Sequence, residues 1–220
     1  MRFLRSLDGI FYALVAFAVL ILHDLFGVIS LSIGPSLYTA IPLAGVFLAT
    51  LKLPSKVGRP GFGVYESLPL KFLAAGLLGL YPFACWQAQG TRSVYLTIGA
   101  AAALILGCLY GLELLRLLEF VFLSNRRYKL KVFCRHLRGI IYYLFLIPTA
   151  TVYAFVIFHM MRRSTTANRL LGYAWGSLET PFRMSLLLLS AACGISLLFL
   201  LCESRDCIRA NLENTETAKA

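Results

Sequence analysis

The sequence predicts an all-α, polytopic transmembrane helix bundle of about six spans, with both termini in the cytoplasm. Of the 220 residues, 59% are apolar and only 14% are charged, whereas about a quarter of an average soluble domain is charged. The apolar runs are solid, as in 100–106, and lack the two-residue alternation of a membrane β-barrel. A globule of this size could not bury so much apolar surface. The composition therefore excludes a disordered chain and argues against a soluble enzyme.

A helix that crosses ~30 Å of hydrocarbon needs about 20 residues. Six stretches approach this length, and they are residues 9–30, 36–53, 68–86, 94–123, 139–161 and 181–202. They predict one transmembrane domain over residues 1–207, followed by a polar tail, 208–220, that we expect to be disordered. The first stretch follows two arginines, as in a signal peptide, but no small-residue cleavage pattern comes after it, so we expect an uncleaved span.

The distribution of basic residues predicts the orientation. With the N-terminus inside and six crossings, 16 Lys and Arg residues lie inside and 5 lie outside, as the positive-inside rule favours. A five-span chain, which would reverse the C-terminal half, stays open as the alternative. A bacterial inner (plasma) membrane is the expected location, and the lack of an Asn-x-Ser/Thr sequon is consistent with it but excludes little.

Two connectors differ in composition. The connector at 52–67 is rich in Pro, Gly and basic residues and is expected to be irregular. The connector at 125–138 has six basic residues and no acidic one, and these are Arg126, Arg127, Lys129, Lys131, Arg135 and Arg138. We expect this basic cytoplasmic loop to contact anionic lipid headgroups, with an acidic protein partner as the alternative. No aromatic-interleaved binding fold accompanies the charge, so nucleic acid is not an expected partner.

Asp24 and His23 form a candidate ion or proton site, because they adjoin each other inside an apolar run. A charge in the middle of a bilayer costs about 2.5–3.5 kcal/mol and normally has a partner or a water-filled path. The alternative is a carboxyl group that lies at the outer interface or pairs with a neighbouring helix. His23 and His159 are candidates for a bis-imidazole haem, but their expected depths differ by about 9 Å. We therefore predict no haem, no other cofactor and no metal site.

Glu113, Arg116 and Glu119 form a candidate charge cluster at a spacing of three residues. Neighbours at this spacing can pair along one helix face. The cluster is juxtamembrane if the fourth span begins at Val94, and Glu113 and Arg116 are intramembrane if it begins near Ala100. The sequence leaves both positions open.

The sequence indicates helix packing more clearly than it indicates a chemical function. Four small residues recur every fourth position in the fourth span, and they are Gly99, Ala103, Gly107 and Gly111. Small residues on one ridge let helices approach closely. Pro42 and Pro148 fall inside the second and fifth spans and favour kinks there.

Three functional hypotheses follow. The first is a non-catalytic membrane subunit or scaffold that associates with itself or with another membrane protein. The second is a small transporter or channel that uses Asp24, His23 and the proline-kinked spans. The third is a lipid-modifying or redox membrane enzyme, although the chain has no catalytic-triad, HExxH or nucleotide-loop motif, so no catalytic residue is predicted.

Overall fold

The computed structural model describes residues 2–26, 35–59, 63–88, 93–162 and 166–217. Helices cover most of these residues, which confirms the all-α class. The helices are α1 (Arg2–Phe26), α2 (Pro35–Leu51), α3 (Leu68–Ala88), α4 (Val94–Ser124), α5 (Tyr128–Ile141), α6 (Ile147–Arg162), α7 (Ala167–Gly176) and α8 (Thr180–Thr217). A π-helix, Tyr142–Leu146, joins α5 to α6 without a break. Two short antiparallel strands, β1 (Lys56–Arg59) and β2 (Gly63–Glu66), separate α2 from α3.

Several of these helices are long and apolar enough to cross a membrane. Within the described residues there are five such segments, Phe3–Leu20, Leu68–Trp86, Val94–Ser124, Tyr128–Arg162 and Thr180–Asn211. In α2 the described side chains begin at Ala40, and the apolar stretch Ala40–Leu51 is shorter than these five. The helix containing the fourth predicted span begins at Val94, as expected, because Ser93 caps it by accepting a hydrogen bond from the Leu96 N–H at 3.4 Å.

α4 is the central helix, and it packs against α3, α5, α6 and α8. The most deeply buried part of the core surrounds its C-terminal half, where Leu114 to Leu118 contribute four fully buried leucines. Leu7 of α1 and Leu201 of α8 join the same core. The core therefore sits toward one end of the bundle.

Contacts between distant parts of the chain define this end. Asp8 of α1 forms a salt bridge with Arg205 of α8. A Cβ at Gly9 would lie 2.8 Å from the Cβ of Ala49, near the end of α2. Since Asn211 also donates a hydrogen bond to Asn125 at 2.6 Å, the start of α1 and the ends of α2, α4 and α8 all meet here. We call it the basic end, because α5 with its basic residues lies here as well.

The predicted basic loop is wrong, because residues 128–138 belong to α5. Leu130, Cys134 and Leu137 recur at helical spacing, and the last two are buried. The basic side chains occupy the other faces of the helix. The many basic residues in this segment made the spacing of its apolar residues hard to recognise in the sequence.

The connector at 52–67 also differs from expectation. It contains the β1–β2 hairpin, in which Val57 pairs with Tyr65. Tyr65 is buried and belongs to the core, and Val57 packs against that core. Alternate residues of the two strands therefore point into the protein, as in other half-buried hairpins.

The polar residues from 208 onward, predicted to form a disordered tail, continue α8 as a helix as far as Thr217. Two contacts hold the first turn of this segment against the bundle. They are the hydrogen bond from Asn211 to Asn125 and the ion pair, at 3.9 Å, between Arg209 and Asp8.

Both expected kink positions lie inside helices. α2 continues through Pro42. Pro148, which has no N–H to donate, is the second residue after the π-helix. The Ile147 N–H between them donates to the carbonyl of Tyr142 instead of to the usual acceptor one residue closer.

Candidate functional site

Ionisable side chains from five elements collect at the basic end. Asp8 pairs with Arg205, whose guanidinium also lies 4.6 Å from the ring centre of Phe11 and 5.2 Å from that of Tyr12. The Arg205 side chain is almost buried, so the carboxylate and the two aromatic faces replace water around its charge. This arrangement fixes α8 to α1.

Glu113 bridges α4 to the hairpin. It accepts a hydrogen bond from the Tyr65 hydroxyl at 2.9 Å and forms an ion pair with Arg116 at 3.7 Å. Burial, and then the negative charge of Glu113, raise the pKa of Tyr65 well above its ordinary value. Tyr65 consequently stays a hydrogen-bond donor at every physiological pH, and the hairpin remains attached to α4.

Glu119 has its partners on α5 rather than on its own helix. Its two carboxylate oxygens lie 3.0 Å from Arg135 and 3.2 Å from Arg138. The predicted charge cluster is therefore divided in the structure. Glu113 and Arg116 pair along α4, as their spacing suggests, while Glu119 ties α4 to the neighbouring helix.

A polar cleft of about 570 Å³ lies between α4 and the rod formed by α5 and the π-helix. Its lining brings three arginines together with one carboxylate and two tyrosines, and the full set is Leu112, Glu113, Arg116, Arg135, Arg138, Gly139, Tyr142 and Tyr143. The Arg116 and Arg135 side chains are 67% and 63% exposed, so their N–H groups remain accessible. The cleft has the donors to hold an anion.

Only two of the six residues assigned to the basic loop line this cleft, Arg135 and Arg138. Lys129 is exposed near the start of α5, and Lys131 lies one half-turn farther along. Arg126 and Arg127 form the turn between α4 and α5, where Arg126 adopts a positive φ of 58°. The basic residues thus do not act as one uniform patch.

The ridge of small residues on α4 is divided between two surroundings. A Cβ at Gly99 would lie 2.6 Å from Cγ of Phe83 on α3, so the two helices approach closely here, and Ala103 is buried nearby. At Gly107 the nearest atom would be 3.8 Å away, and at Gly111 there is nothing within 4 Å. The ridge therefore packs against α3 near Gly99, whereas near Gly111 it faces open space.

That space is an apolar cavity of about 430 Å³, lined by residues of α1, α2, α3, α4, α5, the π-helix and α8. Gly107 and Gly111 contribute to one wall, and Ser190, Cys193 and Gly194 of α8 contribute to the other. None of its lining residues carries a charge. The cavity suits an apolar occupant rather than an ion or a charged substrate.

The structure does not test the candidate ion site. His23 and Asp24 lie on the described backbone of α1, but their side chains are outside what the structure describes. His159 is half-buried on α6, where its Nδ1 lies 3.1 Å from the carbonyl oxygen of Phe155 and its ring contacts the Phe155 ring. Because the His23 side chain lies outside what the structure describes, the pair His23 and His159 is not tested.

Tyr65, Asp8 and Arg205 were missed at the sequence level. Each owes its role to a partner more than 40 positions away, and no local spacing reveals such a pair. The tyrosines at 142 and 143 carried a weak signal, since adjacent tyrosines at the start of an apolar run are typical of a membrane interface. Within the described ranges, no three His, Cys, Asp or Glu side chains are grouped to hold a metal ion.

Searches of protein-family models, curated proteins and solved structures find no match to this chain. The chain is an all-α protein with several helices that are long and apolar enough to cross a membrane.

Proposed function

We propose that this chain is a non-catalytic, multi-pass subunit of an assembly in an inner (plasma) membrane, with six crossings and both termini in the cytoplasm. The start of α1 and the C-terminal half of α8 lie at the same end of the bundle. An even number of crossings accounts for this, so α2 crosses the membrane in addition to the five longer segments. The basic residues at that end favour the cytoplasmic side.

One observation carries the subunit assignment. Gly111 of α4 and Gly194 of α8 line the apolar cavity, and a Cβ at either position would meet nothing within 4 Å. Small residues on transmembrane helices normally serve close helix packing, as Gly99 does against Phe83. Gly111 and Gly194 make no such close contact with a described helix, and apolar side chains of a membrane partner or of a second copy would fill the cavity beside them.

The rival functions receive less support. The acidic side chains Asp8, Glu113 and Glu119 are engaged with arginines or a tyrosine at the basic end. The cavity has no charged lining residue. A transporter would depend on Asp24 and His23, whose side chains lie outside what the structure describes. An enzyme would need a catalytic set, and the polar groups that converge in the cleft between α4 and α5 are arginines, tyrosines and one carboxylate that is already paired.

The test is co-purification of the tagged chain after mild detergent extraction, compared among three glycine variants. We expect the wild type to elute with a stoichiometric membrane partner or as an oligomer, and Gly111→Leu and Gly194→Leu to lose it. Gly79→Leu is the matched control, since a side chain there also meets nothing within 4 Å but lies outside the cavity lining. A monomeric wild-type particle with no partner, or equal loss in the control, would overturn the proposal.

A further inference from the structure

The cleft between α4 and α5 is the second open site, and its chemistry differs from that of the cavity. Three guanidinium groups line it, against the single carboxylate of Glu113. Glu119 takes one N–H from Arg135 and one from Arg138. Because an arginine has five N–H donors, both retain donors, and Arg116 lies 3.7 Å from Glu113, too far for a hydrogen bond.

Glu119 also orients two of the three arginines. It holds Arg135 and Arg138, which lie three residues apart on α5, by separate carboxylate oxygens. Side chains fixed in this way lose less conformational freedom when a ligand binds. A planar guanidinium that is already positioned matches two oxygens of a phosphate group.

The depth of the cleft follows from helix geometry. From Val94 to Glu113, α4 rises about 28 Å. From Gly139 to Arg162, the other wall rises about 34 Å. Both lengths approximate the ~30 Å hydrocarbon thickness, so both helices put the cleft at the level of the lipid headgroups.

The surroundings of the cleft are amphipathic. Tyr142 and Tyr143, which are 44% and 68% exposed, stand at its membrane side, where tyrosine prefers to lie. Next along the rod come the exposed side chains of Leu144 and Ile147. This succession of arginines, tyrosines and apolar side chains matches a ligand with an anionic headgroup and apolar chains. An inorganic anion would contact only the arginines.

We propose that the cleft lined by Arg116, Arg135 and Arg138 is a specific binding site for the phosphodiester headgroup of an anionic phospholipid. The acyl chains lie along the exposed apolar face of the π-helix and α6. This site is independent of the apolar cavity, since it has a different lining.

The experiment titrates phosphatidylglycerol into the delipidated full-length protein in neutral detergent and measures bound lipid by native mass spectrometry. Phosphatidylcholine and inorganic phosphate form the comparison arms. Arg116→Gln removes the most exposed arginine, and Gly139→Leu fills the cleft without changing any charge, since a Cβ there meets nothing within 4 Å. Lys129→Gln is the control, because it removes one charge from an exposed position outside the cleft.

We expect apparent affinity for phosphatidylglycerol to fall roughly tenfold or more in Arg116→Gln and in Gly139→Leu, as loss of a charged hydrogen bond or of the space for the ligand implies. Lys129→Gln should stay within about twofold of wild type. A melting curve of each variant shows whether it is folded, and either folded variant is sufficient for the comparison.

Three results would overturn the proposal. An equal loss in Lys129→Gln would mean diffuse attraction of lipid to a basic surface. Equal binding of phosphatidylcholine would mean that the headgroup charge is not recognised. Inorganic phosphate that binds as tightly as the lipid and displaces it would assign the cleft to a free anion.

Discussion

Glu119 shows what residue spacing reveals and what it does not. The three-residue spacing suggests pairing along α4, and Glu113 and Arg116 are paired in this way. The actual partners of Glu119, Arg135 and Arg138, lie on another helix. Local spacing has no information on which helix packs alongside, so this half of the site required the fold.

Replacing Glu119 by Gln should lower the free energy of unfolding by about 1 kcal/mol, because Arg135 and Arg138 lose a shared acceptor but remain partly exposed to water. The measurement is thermal unfolding in one fixed detergent. Glu66→Gln at an exposed position of β2 is the control and should leave the midpoint unchanged. Equal midpoints for both variants would show that the Glu119 contacts contribute no stability.

At the scale of elements, the apolar helices were predictable and the charged ones were not. The predicted spans 68–86 and 94–123 match α3 and α4 to within two residues, because polar residues and a proline mark their ends. α5, the hairpin and the last turns of α8 were missed. These segments adopt regular structure because a few of their side chains contact residues that are distant in sequence. A local count of charged residues gives no information on such contacts.

The ridge on α4 gives a prediction for one pair of glycines. Gly99→Ala should lower stability by about 1–3 kcal/mol, because the methyl group would overlap Cβ and Cγ of Phe83, atoms that cannot move away without shifting α3. Gly111→Ala should preserve stability or raise it by up to about 1 kcal/mol, since alanine is the better helix former and the space is open. Thermal unfolding of both variants under one condition tests the contrast. A similar loss in both would mean that the two ends of the ridge pack alike.

For the molecule as a whole, composition sufficed to predict the helical class, while the number of crossings and the orientation remain predictions. The meeting of α1 and α8 at the basic end supports an even number. The sequence does not predict which small residues of the ridge pack closely against another helix. Gly99 and Gly111 belong to one regular pattern, but Gly99 contacts Phe83 of α3 while Gly111 borders the cavity.

Single-cysteine labelling in a background without the native cysteines tests the topology. We expect a membrane-impermeant maleimide to modify Tyr173→Cys on α7 in intact cells, because Tyr173 is 79% exposed and α7 follows the end of α6 opposite the basic end. Lys129→Cys should react only after the membrane is opened. Labelling of Lys129→Cys in intact cells would place α5 outside and reverse the orientation.

The continuous rod of α5, the π-helix and α6 has a mechanical consequence. No loop separates the segment that holds Arg135 and Arg138 from the segment that ends at Arg162. When the headgroup end of this rod moves against α4, slack in the chain cannot absorb the displacement. The bend must occur where the hydrogen-bond register is already irregular, at 142–146, just before the proline. A change at the headgroup end of the rod would thus alter the angle between α5 and α6.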